Sequence, residues 1–568
     1  MERHRRIARL RLATALGGLV TAWAALDRSL LPAGWLWLPV LVFIALVVWH
    51  ERVKTRRDRA RRAAELYDAG IERLEGRWRG RGARGDDFLR EDHLYAVDLD
   101  LFGDGSLFQL LSRARTRRGE RRLAGWLGHP SAADEIRDRQ RAIDELRDRL
   151  DLREDLALAG ETVREAIDAD RLAAWGSAPA AFPSPALPLG AAFVSTLTTG
   201  AFALTAAGLP ALAAAALQTA FFFAVRPKVR AALRGVDRAA SDLGILAELA
   251  RRLEREPMAS RRGTELQAAL HAGGRPASDA IHRLRRRLEL HDSGRNLLFM
   301  PIAIVLLWPV HGAFWIDRWR RRFGPAVDGW LDAVGEIEAL SSLAGHAFEH
   351  PGDVFAEIAP DGAVFAAEAL GHPLLPIADC VRNDVTLGGN ARALIVSGSN
   401  MSGKTTLLRA VGTNAVLALA GATVRARHLR ISPLHVGASI RTHDSLLDGR
   451  SRFQAEIDRL RDVMECAGAT PPLLFLLDEI LAGTNSHDRR IGAAAIVKGL
   501  LERGAIGLVT THDLPLAELG TDGDTPIDNV HFEDHIDNGV MVFDYRMRPG
   551  VVRRSNAIEL MRSVGLPV

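Results

Sequence analysis

Hydrophobic and polar positions fall along this chain in three textures, and each predicts a different kind of element. The first is the long run without charge: 15 such residues lie between Arg11 and Asp27, and Leu30 to Trp49 is a second run of 20 that carries tryptophans toward both ends. A bilayer-crossing helix needs roughly 20 apolar residues, so the two runs predict a membrane hairpin, the shorter one lengthened by arginines that reach for the interface. A cleaved signal peptide suits the first run poorly, because no small-residue cleavage site precedes a polar start. From Leu172 to Val225 there is again no charge, and Pro210 divides the latter part near Leu189 to Leu209 and Pro210 to Val225, which predicts a second hairpin. Leu297 to Ile316 is a third uncharged stretch, with arginines on both sides at 285–287 and 318–322.

The second texture is amphipathic. In Glu51 to Asp170 and Arg226 to Ala347, apolar residues recur at helical spacing, as in Ile136, Ile143, Leu146 and Leu150, with Asp, Glu and Arg between them. The third begins near Val364, where short apolar runs alternate with turns and helices, the signature of a parallel sheet covered by helices. The expected organisation is multidomain: a membrane hairpin (1–50), a helical region (51–170), a second hairpin (171–226), a further helical region (227–350) and an α/β domain (351–568).

Composition changes this picture little. At 568 residues the chain is too long for one ordinary domain, and a net charge of +4 does not by itself imply a nucleic-acid partner. Lysine occurs only at Lys54, Lys228, Lys404 and Lys498, so the richness in arginine is a property of the whole chain and weak evidence for DNA binding. Cys380 and Cys466 match neither a metal spacing nor a disulfide framework, which fits a reducing compartment.

The candidate chemistry lies in the α/β part. The apolar strand Ala393 to Val396 runs into Gly398-Ser399-Asn400-Met401-Ser402-Gly403-Lys404-Thr405-Thr406, and a helix is expected from near Leu407. This is Gly-x4-Gly-Lys-Thr in a strand, loop and helix setting. Its glycines let backbone N–H groups close on phosphate oxygens, Lys404 reaches the β and γ phosphates of ATP, and Thr405 ligates Mg2+. Leu473 to Leu477 predicts a strand buried on both faces that ends in Asp478-Glu479, with Asp478 for the Mg2+ shell and Glu479 as base for the attacking water. Ile506 to Thr510 predicts another strand, followed by Thr511-His512-Asp513 and placing His512 by the γ-phosphate.

These residues resemble one family closely. The loop with Asn400-Met401, the stretch from Asp478 through Gly483-Thr484-Asn485-Ser486, Gly371-His372-Pro373-Leu374-Leu375, Asn383-Asp384, Ser451-x-Phe453-x-x-Glu456 and the close at Asn556-Ala557-Ile558 and Gly565-Leu566-Pro567 are similar to the MutS DNA mismatch-repair ATPases. More weakly, Thr116-x-x-Gly119 to Trp126-Leu127, Ile136-x-x-Arg139-Gln140-x-Ala142-Ile143 and Glu338-Ala339-Leu340-x-Ser342-Leu343-Ala344 resemble the family's core domain. The resemblance implies an ABC-type P-loop ATPase fold, helical levers, a homodimer through the ATPase domains, a DNA partner, and residues 483–486 reaching the other subunit's nucleotide through either Asn485 or Ser486.

Two departures qualify the expected role. The family's Phe-x-Glu mismatch wedge has no counterpart in the first hundred residues; Phe355-Ala356-Glu357 has the letters but lies beside the ATPase. An uncharged hairpin also stands where the family inserts its DNA clamp. The expectation is a membrane-anchored ATPase with its catalytic domain in the cytoplasm, acting on DNA or alternatively remodelling a protein partner, with lipid around the hairpins. Basic residues at both ends of the first hairpin keep those ends inside, and a fifth span would separate the ATPase from ATP. Leu297 to Ile316 is therefore expected to be a buried core helix.

Overall fold

The computed structural model describes residues 2–26, 32–161, 168–205, 208–294, 296–297, 299–440, 452–512, 525–537 and 540–552. Ser451, Asp513, Asn556-Ala557-Ile558 and Gly565-Leu566-Pro567 lie outside them. The chain divides into two compact units, Met1–Glu72 and Arg73–Val568.

The first unit holds α1 (Glu2–Leu26) and most of α2 (Trp37–Leu74). The apolar stretch of α1 is Leu12–Trp23, about 18 Å of helix against a hydrocarbon core of about 30 Å. In α2 the apolar residues Trp37, Leu41, Ile44 and Val48 are exposed, and the helix continues unbroken into the basic segment, where Arg61 pairs with Glu65 at 2.9 Å. Its first turn is set by Pro32 and a short 3-10 helix, so the second apolar run becomes α-helical only from Trp37.

The helical part of the second unit contains α3 (Arg117–Gly128), α4 (Ala133–Arg147), α5 (Ala169–Ser177), α6 (Ala186–Thr205), α7 (Leu209–Leu233), α8 (Val236–Glu254), α9 (Ala277–Ser293), α10 (Met300–Val305), α11 (Trp308–Phe323) and α12 (Val327–Glu349). Helix α12 is apolar on nearly every face, so it is buried among the others rather than laid on them. It approaches α3 closely: a Cβ at Gly335 would sit 2.9 Å from the Arg118 carbonyl carbon. Thr116 caps α3, its hydroxyl accepting from Gly119 N at 3.1 Å and donating to the buried Glu338 carboxylate of α12. The segments around 116–127 and 338–344, far apart in sequence, are thus neighbours.

Among the described residues two helical stretches are long and apolar enough to cross a membrane, Ala186–Leu204 and Leu209–Glu254. The second is interrupted at Gly235, whose φ of 72° separates α7 from α8. The third uncharged run is not one buried helix. Pro309 cannot donate to the turn before it, so the run breaks at Leu307 (φ 49°) into α10 and α11. From Val310 onward the expectation of burial holds, with Val310, Ala313 and Ile316 enclosed, whereas Ile302 and Ile304 of α10 are more than half exposed. At the break, Gln218 of α7 donates from Nε2 to Val305 O (3.1 Å) and to Ile304 O (2.9 Å), the latter also accepting from Leu307 N at 3.1 Å. On α11, fully buried Asp317 accepts from Ala181 N and Phe182 N, both at 3.1 Å, and from Arg320 at 2.7 Å, tying the entry of α6 to the bundle.

Besides two short two-stranded pairs, the strands form two larger sheets from β1 (Glu357–Ile358), β2 (Phe365–Leu370), β3 (Asn383–Leu387), β4 (Ala393–Ser397), β5 (His428–Ile431), β6 (His435–Ser439), β7 (Leu473–Asp478), β8 (Ile506–Thr511), β9 (Ile527–Asp537) and β10 (Val540–Pro549). One sheet has the order β1-β5-β2-β3; the other, β6-β7-β8-β4-β9-β10, is parallel except for its last strand. Strands β4, β7 and β8 are buried on both faces, which is why their sequences run apolar without alternation. Helix α13 (Lys404–Ala420) covers one face and shares a continuous apolar core with α12, while α14 (Arg452–Cys466) and α15 (Ser486–Glu502) cover the other.

Candidate functional site

The site is built where the carboxyl ends of β4, β7 and β8 meet, the crevice in which open parallel sheets bind ligands. β4 delivers the chain at Ser397, and the loop turns through Gly398 (φ 149°), Met401 (φ 69°) and Gly403 (φ 105°). A side chain at Gly398 would come within 3.0 Å of the Phe532 carbonyl oxygen, so the turn requires glycine. Helix α13 begins at Lys404, one turn earlier than the expected Leu407, because Gly403 in the left-handed region serves as its cap. The first amides of that helix therefore face the crevice.

Lys404, Thr405, Asp478, Glu479 and His512 are brought together. The Lys404 ammonium is buried and donates to Gly398 O (2.9 Å) and Ser399 O (2.8 Å), with Glu479 Oε1 at 3.6 Å. The Thr405 hydroxyl donates to Asp478 Oδ2 at 2.7 Å, and Thr510 of β8 donates to the other carboxylate oxygen. Glu479 has a φ of 46°, held by its N–H donating to Thr510 Oγ1 at 3.0 Å. Its Oε2 lies 3.4 Å from His512 Nδ1, and Arg489 of α15 reaches His512 Nε2 at 3.4 Å. The hydroxyls of Ser399 and Ser402 are buried without hydrogen-bond partners among the described residues.

A cavity of about 580 Å3 opens from this point, with Lys404, Thr405 and Glu479 at one end and Leu370, Leu375, Val381 and Tyr545 forming apolar wall. Burial pushes the His372 imidazole on its rim down to about 4, so that the ring is neutral. Asn383 ties the wall together, accepting from Met547 N at 2.7 Å and donating to Tyr545 O at 3.0 Å.

Glu456 of α14 accepts from Leu481 N and so holds the chain after the paired acids, while Phe453 of the same helix packs on Gly483. Gly483, Asn485 and Ser486 are exposed. Asn485 is the N-cap of α15: its Oδ1 accepts from Asp488 N at 2.9 Å and its amide donates to Asp488 Oδ2 at 2.7 Å. Sequence reasoning missed Thr510, Arg489 and Tyr545. Thr510 could have been found as the polar residue closing a buried strand; Tyr545 carries no such signal.

Family models for MutS domain III and MutS domain V match residues 96–468 and 394–568, and the chain belongs to the MutS family. It is 36% identical over 206 residues to a protein of Thermus thermophilus named Endonuclease MutS2, covering 34% of this chain and 26% of that one. A protein of the same name from an Anaeromyxobacter species is 35% identical over 248 residues, covering 42% and 30%. DNA mismatch repair protein MutS 2 of Halobacterium salinarum is 32% identical over 245 residues, covering 41% and 27%. The chain thus spans between a quarter and a third of the length of these relatives.

Proposed function

We propose that the chain is a Mg2+-dependent ATPase of the P-loop type that couples nucleotide binding and hydrolysis to movement of its helical part, anchored at a membrane and acting on DNA. The observation that carries this reading is the convergence of Lys404, Thr405, Asp478 and Glu479 at the ends of adjacent parallel strands. The ammonium of Lys404, now spent on two carbonyls of its own loop, binds the β and γ phosphates when they enter, and the amides of residues 398–406 close around them. Thr405 and Asp478 offer hard oxygens suited to Mg2+, which would neutralise charge developing between the phosphates. Glu479 takes the proton of the attacking water, and His512 orients that carboxylate and faces the γ-phosphate. The apolar cavity beyond the loop suits a purine ring.

Homodimerisation through the ATPase domains would complete the site in trans. With the Asn485 side chain committed to its cap, Ser486, exposed at the start of α15, is the residue free to reach the other subunit's nucleotide. Movement would pass to the helices through Arg409 of α13, which pairs with Asp100 at 2.9 Å, and through Asp98, which accepts from Ile440 N at 2.8 Å. In this reading 1–50 and 171–226 are membrane hairpins, 51–170 and 227–350 the core and levers, and 351–568 a cytoplasmic ATPase domain at the inner membrane.

Support for the membrane comes from exposed Leu189, Phe193, Leu197, Leu212 and Phe223 on α6 and α7, and from arginines collected past their apolar parts. Burial and the neighbouring Arg318 and Arg283 lower the pKa of Arg287, which marks how closely arginines of α9 and α11 crowd there. The same apolar face favours a second reading, in which the levers remodel a protein partner without nucleic acid. ATPase turnover with and without plain, mismatched and branched DNA, on membrane-fractionated protein, tests both: salt-sensitive stimulation supports DNA, and its absence removes the DNA half of the proposal.

A further inference from the structure

A second cavity, of about 560 Å3, which shares no lining residue with the one at the phosphate loop, lies between α5, the junction of α7 with α8, and α11. Arg171, Arg234, Arg238 and Arg320 line it, with Asp242 as its one acid. Gly235 makes the left-handed turn that lets Arg234 and Arg238, from either side of the junction, face the same space. Arg320 is almost fully buried: its Nη2 is held by Pro179 O (3.0 Å) and Asp317 (2.7 Å), its guanidinium lies 6.0 Å from the Trp175 ring centroid, and its Nε is buried with no hydrogen-bond partner among the described residues. A buried guanidinium N–H without an acceptor among these residues is open to one from a ligand. With Arg320 already paired to Asp317, the guanidinium groups of Arg171, Arg234 and Arg238 face the single lining carboxylate of Asp242, an excess that selects an anion, and guanidinium prefers phosphate geometry.

The position of the cavity narrows the anion. It opens beside Ala231, and Phe223, the last exposed aromatic of α7 before the arginines, lies eight residues earlier, about 12 Å along the helix. The cavity is thus at the depth where headgroups lie if α6 and α7 are in a bilayer. We infer that this cavity binds the phosphate-bearing headgroup of an acidic phospholipid, which fixes the seating of the α6–α7 hairpin against α5 and α11. The inference rests on the membrane reading above. Basic pockets between spans on the cytoplasmic side are general sites for such lipids.

The test uses the intact chain. Flotation with phosphatidylcholine vesicles, with and without phosphatidylglycerol, reports anchoring, and native mass spectrometry from mild detergent reports retained lipid. The expected result is flotation with both vesicles and preferential retention of phosphatidylglycerol. Each exposed arginine contributes about fivefold, so Arg234→Gln with Arg238→Gln weakens retention roughly 25-fold while flotation persists. Ala231→Trp, which obstructs the cavity without changing charge, gives the same loss, and Arg226→Gln with Arg230→Gln, outside the cavity, does not. Equal retention of the two lipids, or equal loss from the 226/230 pair, overturns the headgroup site while leaving the anchor. Displacement of the lipid by inorganic phosphate at matching concentration overturns the lipid assignment in favour of a free anion. Failure to float with either vesicle overturns the membrane reading and this inference together.

Discussion

The Thr405 hydroxyl at the start of α13 donates to Asp478 Oδ2 at the end of β7 across 2.7 Å, joining a helix start to a strand end that the sequence separates by 73 positions. Both groups are hard oxygen donors, and their approach is fixed from behind by Thr510, which donates to the other Asp478 oxygen. Thr405→Ala removes one donor and is expected to raise the Mg2+ concentration for half-maximal turnover by roughly tenfold or more. A Mg2+ titration of ATPase rate checks it; an unmoved midpoint would take Thr405 out of the metal's reach.

Lys404 is buried and bonded to two loop carbonyls and, more distantly, to Glu479. Lys404→Ala should weaken ATP binding about tenfold or more, because the phosphates lose their one cation within the loop. Fluorescent-nucleotide titration measures this, with Lys498→Ala on α15 as a control expected to bind as the native chain does.

Glu338 offers a pH signature. Burial raises its carboxyl from an ordinary value of 4.5 to about 7, despite hydrogen bonds from Thr116. The folded chain therefore holds a proton there that the unfolded chain releases. Stability from this group is fully present below pH 4.5 and is lost as pH rises through 7. Glu338→Gln removes that loss, so its stability relative to the native chain should grow between these limits by at most roughly 3 kcal/mol. Denaturant unfolding at a series of pH values checks it; a constant difference would mean that Glu338 is ionised throughout.

Gln218 closes the broken end of α10. Gln218→Leu keeps the volume and leaves the Val305 carbonyl without its side-chain donor, while Ile304 O still accepts from Leu307 N, for an expected cost of about 1–3 kcal/mol. Thermal unfolding in mild detergent measures it, with Thr219→Val as control, since that hydroxyl is exposed and bonds only the preceding turn.

What the sequence made legible follows from where the chemistry sits. Lys404, Asp478, Glu479 and His512 each follow a short strand buried on both faces, and such a strand advertises itself as an unbroken apolar run with polar residues at its end. Tyr545 lies on the antiparallel edge strand β10, half exposed, so nothing in its neighbourhood marks the wall it provides. Hydropathy averaged Leu297 to Ile316 into one helix, although Pro309 had already fixed the break. Among the described residues two apolar stretches reach membrane-spanning length as helices; those of the first hairpin do not, because the α-helical part of the second run starts only at Trp37 and that of the first is bounded by charge. The contact of Thr116 with Glu338 spans 222 positions and is carried by packing of α3 on α12, which no local pattern reports.

The central claim is that this chain's own phosphate loop and paired acids hydrolyse ATP. The most direct measurement is single-turnover hydrolysis by the intact chain beside Glu479→Gln, with nucleotide binding measured on the same preparations. The account predicts Mg2+-dependent turnover in the native chain, and in the variant retained binding with a rate lower by roughly 100-fold or more. Equal rates in the two, or no nucleotide bound by either, would contradict it.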